Sequence, residues 1–388
     1  METEKLYYAD PFLKEFDAVV LSCQPARGGW SVALDRTAFY PEGGGQPADA
    51  GVLSGAAVTD VQERDGVVLH TADRFLEPGA RVVGTIDWPR RFDHMQQHSG
   101  EHILSGILCA SYRCDNVGFH LGADTVTIDY NVPLTWEQAM EAEQLANAVI
   151  AADAPVEITY PSREELKNLD YRSKKELTGR VRIVTFPDAD CCACCGTHVL
   201  RAGQVGLVKV LSVQKFRDGA RMEIVCGDRA LDLFRQVYDQ NRAVAQALSV
   251  KMDATAQAVA RTLDELAAAK VQAAADEDAL FSALADARAG QGDVLLFREP
   301  LRPDAVRKLA DAVARRCGGL AAVFAGTRDA WNYALVRSDG RDIAPLVREM
   351  NAALSGRGGG RNGFAQGSVH ARRETIAAFL ADRGAAVV

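Results

Sequence analysis

Two ligand pairs about a hundred residues apart constrain this chain more than any other feature. One is His98-Ser99-Gly100-Glu101-His102 and the other is Cys194-Cys195-Gly196-Thr197-His198. Histidine nitrogens and a cysteine thiolate are donors that zinc prefers, and four of them complete a tetrahedral shell. A fold that uses both pairs must carry the chain away from a helix and return it to the same point. Residues i and i+4 share a helix face, so His98 and His102 can reach one ion. His94 stands four residues earlier on the same stripe, so the choice of adjacent pair stays open on spacing alone. The second half, Cys191-Cys192-Ala193-Cys194-Cys195-Gly196-Thr197-His198, offers several thiols. Cys191 with Cys194, and Cys192 with Cys195, each make a Cys-x-x-Cys pair, so chemistry alone does not choose the ligating sulfur.

Cysteine usage supports metal binding over disulfides. The nine cysteines are odd in number and, outside this cluster, dispersed (Cys23, Cys109, Cys114, Cys226, Cys317). That pattern fits a reducing cytoplasm with thiols free for metal. The formal net charge of -8 excludes a uniformly basic nucleic-acid binder. Charge is uneven, however: residues 291–388 hold 15 Lys+Arg against 10 Asp+Glu, which is +5 and leaves -13 for the remainder. Any polyanion-binding surface is therefore expected near the C-terminus. The start, Met1-Glu2-Thr3-Glu4-Lys5, lacks the pattern of a secretory signal, and no run approaches the roughly 20 apolar residues of a membrane span. No membrane association is expected.

The chain reads as α+β in four segments. Residues 1–90 alternate short apolar runs (Ala18 to Ser22, Val67 to Leu69) with Gly, Pro and Asp, which predicts a small β-barrel. Residues 91–227 mix a helix over Phe92 to Ala110, paired strands over Val117 to Tyr130 joined at Gly122, and a helix over Thr135 to Ala151 capped by Thr135. Residues 228–290 contain no Pro and no Gly until Gly290, and their apolar residues recur at helical spacing. They predict a long helix, a helical hairpin or a coiled coil, serving as spacer or dimer interface. Residues 291–388 read as an α/β unit. Strands at Val294 to Phe297 and Leu320 to Phe324 flank a helix over Asp304 to Cys317, and Gly356 to Gly363 reads as a glycine-rich loop.

Taken in order, these motifs resemble the alanyl-tRNA editing domains found in alanyl-tRNA synthetase and in free-standing editing proteins. His98-x-x-x-His102 with Cys194-x-x-x-His198 is similar to the family's metal signature. Phe39-Tyr40-Pro41-Glu42-Gly43-Gly44-Gly45-Gln46-Pro47-Ala48-Asp49-Ala50-Gly51 resembles its Gly-Gly-Gln segment. Gly358-Gly359-Gly360-Arg361 followed by Ala365-Gln366-Gly367 resembles the DHH-associated domain that ends the synthetase. The resemblance covers nearly the whole chain and is closest to the long free-standing form. No signature for ATP or amino-acid activation precedes the strands, so nucleotide binding enters only by similarity to the synthetase. The extra thiols at Cys191, Cys192 and Cys195 depart from the family pattern.

The resemblance implies a zinc site of His98, His102, Cys194 and His198. It also implies hydrolysis of the ester joining serine, or glycine, to the 3′ end of alanine tRNA. Such a step complements a synthetase pocket that cannot strongly exclude small side chains. Ester hydrolysis needs an activated water and a stabilised oxyanion. Gln46, Glu101 and His120 are the candidate catalytic or positioning groups. Arg357, Gly359, Gly360, Arg361 and Gln366 are candidates for contact with the tRNA backbone. Arg221 and Glu223 resemble a family segment, and an internal ion pair accounts for them equally well. A homodimer through the helical segment or the C-terminal domain is a further expectation. Three other readings compete. A DHH phosphoesterase lacks its Asp-His-His motif here, threonyl-type editing does not explain the glycine segments, and a non-catalytic zinc-containing tRNA-binding protein would not deacylate.

Overall fold

Period-two burial shapes the first ninety residues. In Arg81–Ile86 the side chains alternate strictly between exposed and buried, as a half-buried strand requires. Six strands, Glu15–Ala26, Gly29–Leu34, Val67–Ala72, Ala56–Arg64, Gly51–Leu53 and Arg81–Ile86, pair in that order, and the last pairs back to the first as a closed barrel. Phe16, Val20, Leu34, Phe39, Leu53 and Val61 fill its interior. The computed structural model describes residues 2–173 and 180–383, and the backbone of 386–387.

The chain divides into two compact units, Met1–Ala243 and Val244–Val388. The segments 1–90 and 91–227 thus share one unit, and the division falls inside the helix Gly227–Ala247. A buried ion pair is one physical reason that the first two segments cohere. Arg91 is 0% exposed; it donates to the Asp49 carboxylate (2.9 Å), to the Pro11 carbonyl (3.0 Å) and to the Ala38 carbonyl. A buried guanidinium needs such acceptors.

The helix Trp88–Tyr112 starts where Asp87 accepts the Arg90 amide and stops at Arg113, whose φ is 52°. Its sequence Gln96 to His102 is polar yet almost wholly buried, which is rare for such residues unless they are paired. Gln97 exchanges two hydrogen bonds with the Cys226 backbone, at 2.7 and 2.8 Å. The helix packs on the helix Trp136–Ala152 and on a four-stranded sheet ordered Val208–Phe216, Gly219–Cys226, Val126–Tyr130, Asn116–Leu121. Thr135 caps the helix Trp136–Ala152 in a reciprocal box with Gln138, as expected. Arg221 pairs with Asp129 at 2.7 Å and not with Glu223, which accepts from Ser212 at 3.0 Å. Register explains this: Asp129 faces Arg221 across the sheet.

The expected helical stretch over 228–290 is two α-helices, Gly227–Ala247 and Thr255–Asp286, separated by a turn and a short 3₁₀ segment, Met252–Ala254. In the second unit, Gly292–Arg298 and Gly318–Thr327 run parallel with the helix Pro303–Cys317 between them. They lie in a six-stranded sheet covered on both faces. Val294 and Leu296 point to the side of Val306, Leu309 and Val313, whereas Leu295 points to the side of Val347, Met350 and Ile376. The glycine-rich run is corrected from loop to strand: Arg357–Arg361 is the sheet's outer strand and pairs with Phe364–His370. Glycine disfavours strands, but backbone pairing in the hairpin needs no side chain.

Candidate metal centre

The two ligand pairs meet. His98, His102, Cys194 and His198 each present one donor atom within 4.8 Å of the others, and the three histidines are buried. Sγ of Cys194 lies 3.3 Å from Nε2 of His198 and 3.6 Å from Nε2 of His98. His94 is not in the group. Among the clustered cysteines, Cys194 alone belongs to this group; Cys192 is buried beside it, within 4.8 Å of His102 and Asp190 in a second group that shares His102, and Cys195 is exposed.

Each histidine is held through its other ring nitrogen. Nδ1 of His98 is 2.9 Å from Oε1 of Gln46, Nδ1 of His102 is 2.9 Å from Oδ2 of Asp190, and Nδ1 of His198 is 3.1 Å from Oγ of Ser99. Donation from Nδ1 to Gln46 and Asp190 fixes the tautomer that leaves an Nε2 lone pair facing the centre. Gln46 also donates to Oγ1 of Thr197 at 2.8 Å, so it ties the two ligand segments together. The turn that delivers Gln46 has Gly44 at φ +61° and Gly45 at φ +87°, successive left-handed residues that glycine adopts freely. Asp190 accepts from Arg172 at 2.6 and 2.9 Å. Arg182 donates to the carbonyls of Cys194 (2.8 Å) and Gly196 (3.0 Å) and so staples the ligand loop. A Cβ on Gly196 would sit 2.2 Å from Cε1 of His98, so the loop closes only with glycine there.

Charge follows the geometry. Burial raises the thiol of Cys194, but the surrounding imidazoles of His98, His198 and His102 overcome it and hold the group well below its ordinary value. Burial disfavours a charged His102, yet the Cys194 thiolate and the Asp190 carboxylate outweigh it and lift the imidazole to about 9. Burial instead drops His198 to about 3. The pocket thus favours a thiolate with positive charge beside it, which a metal ion would supply with the imidazoles neutral. Three imidazole nitrogens and a thiolate, each backed by a fixed partner, fit a tetrahedral zinc ion.

The other expected residues fall differently. Glu101 is 1% exposed and accepts from Ser105 at 2.7 Å and from Asn116, with Ser105 also 2.9 Å from the Tyr130 hydroxyl. His120 is exposed on the strand Asn116–Leu121 and outside the ligand group, while its neighbour Phe119 stacks on His98 at 4.9 Å. Arg357, Gly359, Gly360, Arg361 and Gln366 are all exposed, with Gly359 opposite Gln366. Ser99, Arg172, Arg182 and Asp190 were not among the sequence candidates; the Asp190-to-Cys194 spacing carries no signal of its own.

Comparison with known proteins gives three family matches. Residues 12–90 match tRNA synthetases class II (A), residues 181–221 match the threonyl and alanyl tRNA synthetase second additional domain, and residues 292–383 match the DHHA1 domain. The alanyl-tRNA editing protein AlaX-L of Pyrococcus horikoshii is 35% identical over 244 residues, covering 60% of each chain. An alanine–tRNA ligase of Halorubrum lacusprofundi is 32% identical over 395 residues, 94% of this chain and 42% of the ligase. The chain therefore spans less than two thirds of the length of these relatives. The C-Ala domain of the Aquifex aeolicus alanyl-tRNA synthetase aligns with 24% of this chain at 26% identity and a TM-score of 0.22, an overlap too small to carry an argument.

Proposed function

We propose that this chain, similar to alanyl-tRNA editing proteins along its matched segments, is a trans-editing aminoacyl-tRNA deacylase. Its substrate is alanine tRNA mischarged with serine, with glycine as the second candidate. The observation that carries the reading is the convergence of His98, His102, Cys194 and His198 on one point. These four residues would hold zinc. When bound, zinc supplies a Lewis acid for the ester carbonyl or for a water, to the extent that a four-ligand shell opens or expands. The chain's own residues do the rest. Gln46, Asp190 and Ser99 hold the ligand rings in one orientation, and Arg182 holds the backbone of the ligand loop. We assign Gln46 a positioning role through His98 and Thr197, whereas Glu101 fixes Ser105 and Asn116. His120 is an exposed group on the adjacent strand Asn116–Leu121.

Four segments divide the work of editing between them. They are a barrel over 1–90, a zinc-binding editing segment over 91–227, a helical spacer over 228–290 and a tRNA-binding unit over 291–388. The exposed backbone of Gly359 and Gly360, with Arg357 and Arg361 beside it and Gln366 opposite, suits contact with phosphate and ribose. Among the described residues no helix is long and apolar enough to cross a membrane. We place the protein in the cytoplasm, where charged tRNA is used. Leu263, Leu266 and Val271 are exposed on the helix Thr255–Asp286, which favours a homodimer through this helix; light scattering tests it.

Deacylation of Ser-, Gly- and Ala-charged alanine tRNA by the zinc-loaded protein tests the proposal. Release of serine with Ala-tRNA spared is expected. Tight zinc and tRNA binding without deacylation would instead favour the alternative, a non-catalytic zinc-containing tRNA-binding protein.

A further inference from the structure

The histidine helix ends in a pair of thiols that the metal centre does not use. Cys109 lies in its last turn, and Cys114 follows the left-handed Arg113 that terminates it. Their sulfurs are 3.9 Å apart, with Cys114 donating to Cys109. A disulfide requires about 2.05 Å, so closing one asks for a shift of on the order of 2 Å at a helix end. Both residues line a cavity of about 1040 Å³, together with Asn116, Arg172, Cys191 and Cys192. A small solute in this cavity therefore reaches Cys109, which is half-buried, whereas Cys114 is buried.

The two thiols are unequal. Donation from Cys114 and the positive charge of Arg172 draw the Cys109 thiol down, against burial. The same hydrogen bond and burial push Cys114 up. A lowered, accessible thiol beside a protonated one is the arrangement of an attacking and a resolving cysteine.

We propose that Cys109 and Cys114 form a peroxide-reactive dithiol that closes reversibly to a disulfide at the end of the histidine helix. In the first step the Cys109 thiolate attacks one oxygen of a hydroperoxide. The O–O bond breaks, an S–O bond forms, sulfur is oxidised by two electrons and hydroxide (or alkoxide) leaves. In the second, the sulfur of Cys114 attacks the sulfenic sulfur, the S–S bond forms and water departs with the thiol proton. An added dithiol returns both sulfurs to thiols by exchange. The proposal is independent of the deacylase reading.

The test uses the full-length, zinc-loaded protein and hydrogen peroxide, followed by alkylation, trypsin and mass spectrometry. Trypsin cuts after Arg113, between the two cysteines, so a bridge links the peptides 92–113 and 114–163. The expected result is that linked pair, short by two hydrogen atoms and abolished by dithiothreitol. In Cys109→Ser the link is absent and peroxide-dependent thiol loss slows about tenfold; in Cys114→Ser a 1,3-diketone traps sulfenic acid on Cys109. Unlinked sulfinic or sulfonic acid on Cys109 in the wild-type protein would overturn the proposal. So would a bridge from Cys109 to Cys191 or Cys192, or an unchanged rate in Cys109→Ser. The mapping on wild-type protein decides the question even where a variant fails to fold.

Discussion

The histidine helix and the glycine strand solve opposite problems with opposite means. The helix Trp88–Tyr112 buries polar side chains and ties them to partners: Gln46 to His98, Ser99 to His198, Asp190 to His102. The strand Arg357–Arg361 is exposed at all five positions, and three of them have no side chain beyond hydrogen. In the first, function needs fixed donor atoms in a dry place, where an unsatisfied polar group is costly. In the second, the backbone itself is the surface offered. Substitution should therefore be costly wherever it removes a buried partner, and cheap on the strand except where backbone must pass backbone.

The largest effect expected is at Cys194. Cys194→Ala removes the thiolate around which the imidazoles balance, and zinc affinity should fall by more than about a hundredfold, with deacylation lost. Zinc analysis after dialysis against a weak chelator checks it; retained zinc would break the account of the centre. Next comes His70, buried in the barrel between Oγ1 of Thr37 (2.9 Å) and the Val32 carbonyl (3.0 Å). Burial lowers it from 6.5 to about 4. The folded state thus favours the neutral ring, so its contribution is whole above pH 6.5 and is lost as pH falls through 4. That loss amounts to roughly 3 kcal/mol. Urea unfolding of wild type at stepped pH should show it, with a smaller slope in His70→Gln.

Asp190→Asn follows. It leaves Arg172 short of a charge partner and lets His102 turn, so zinc affinity should drop about 10- to 100-fold, read from the spectrum and off-rate of the cobalt-substituted protein. On the strand, Arg357→Ala and Arg361→Ala should each lower the salt dependence of alanine tRNA binding by about one ion and leave zinc untouched. The smallest effect separates two adjacent glycines. A Cβ on Gly359 meets nothing within 4 Å, whereas one on Gly360 would lie 2.0 Å from the Phe364 carbonyl oxygen. Gly359→Ala should melt like wild type, while Gly360→Ala should lose stability.

What could be read from the chain follows the range of the forces involved. Two candidate donor pairs were legible because each is local, i,i+4 on a helix and the same count across a turn, whereas the choice of His98, His102, Cys194 and His198 among the crowded histidines and cysteines came from the resemblance. The βαβ order in the second unit was legible because apolar runs and helical spacing are local as well. Gln46 came only through resemblance to a family, since its bond to Thr197 spans 151 residues. Arg172, Arg182 and Ser99 gave no signal, because nothing nearby says that a surface-type residue is buried. The glycine run was misread as a loop because residue preference speaks against a strand, whereas its pairing with Phe364–His370 is set by backbone. Glu101 was a candidate to orient a ligand or water; its carboxylate meets Ser105 and Asn116, a direction that spacing does not fix.

Arg91 has a consequence for how such a protein can be divided. The family match at the N-terminus ends at residue 90, one position before it. A cut at that seam would leave a guanidinium in an apolar wall facing the absent Asp49, Pro11 and Ala38. The segments on either side are therefore poor candidates for transplantation as separate modules. A chimaera that exchanges the barrel has to bring its own carboxylate to this point, or it inherits a stranded charge.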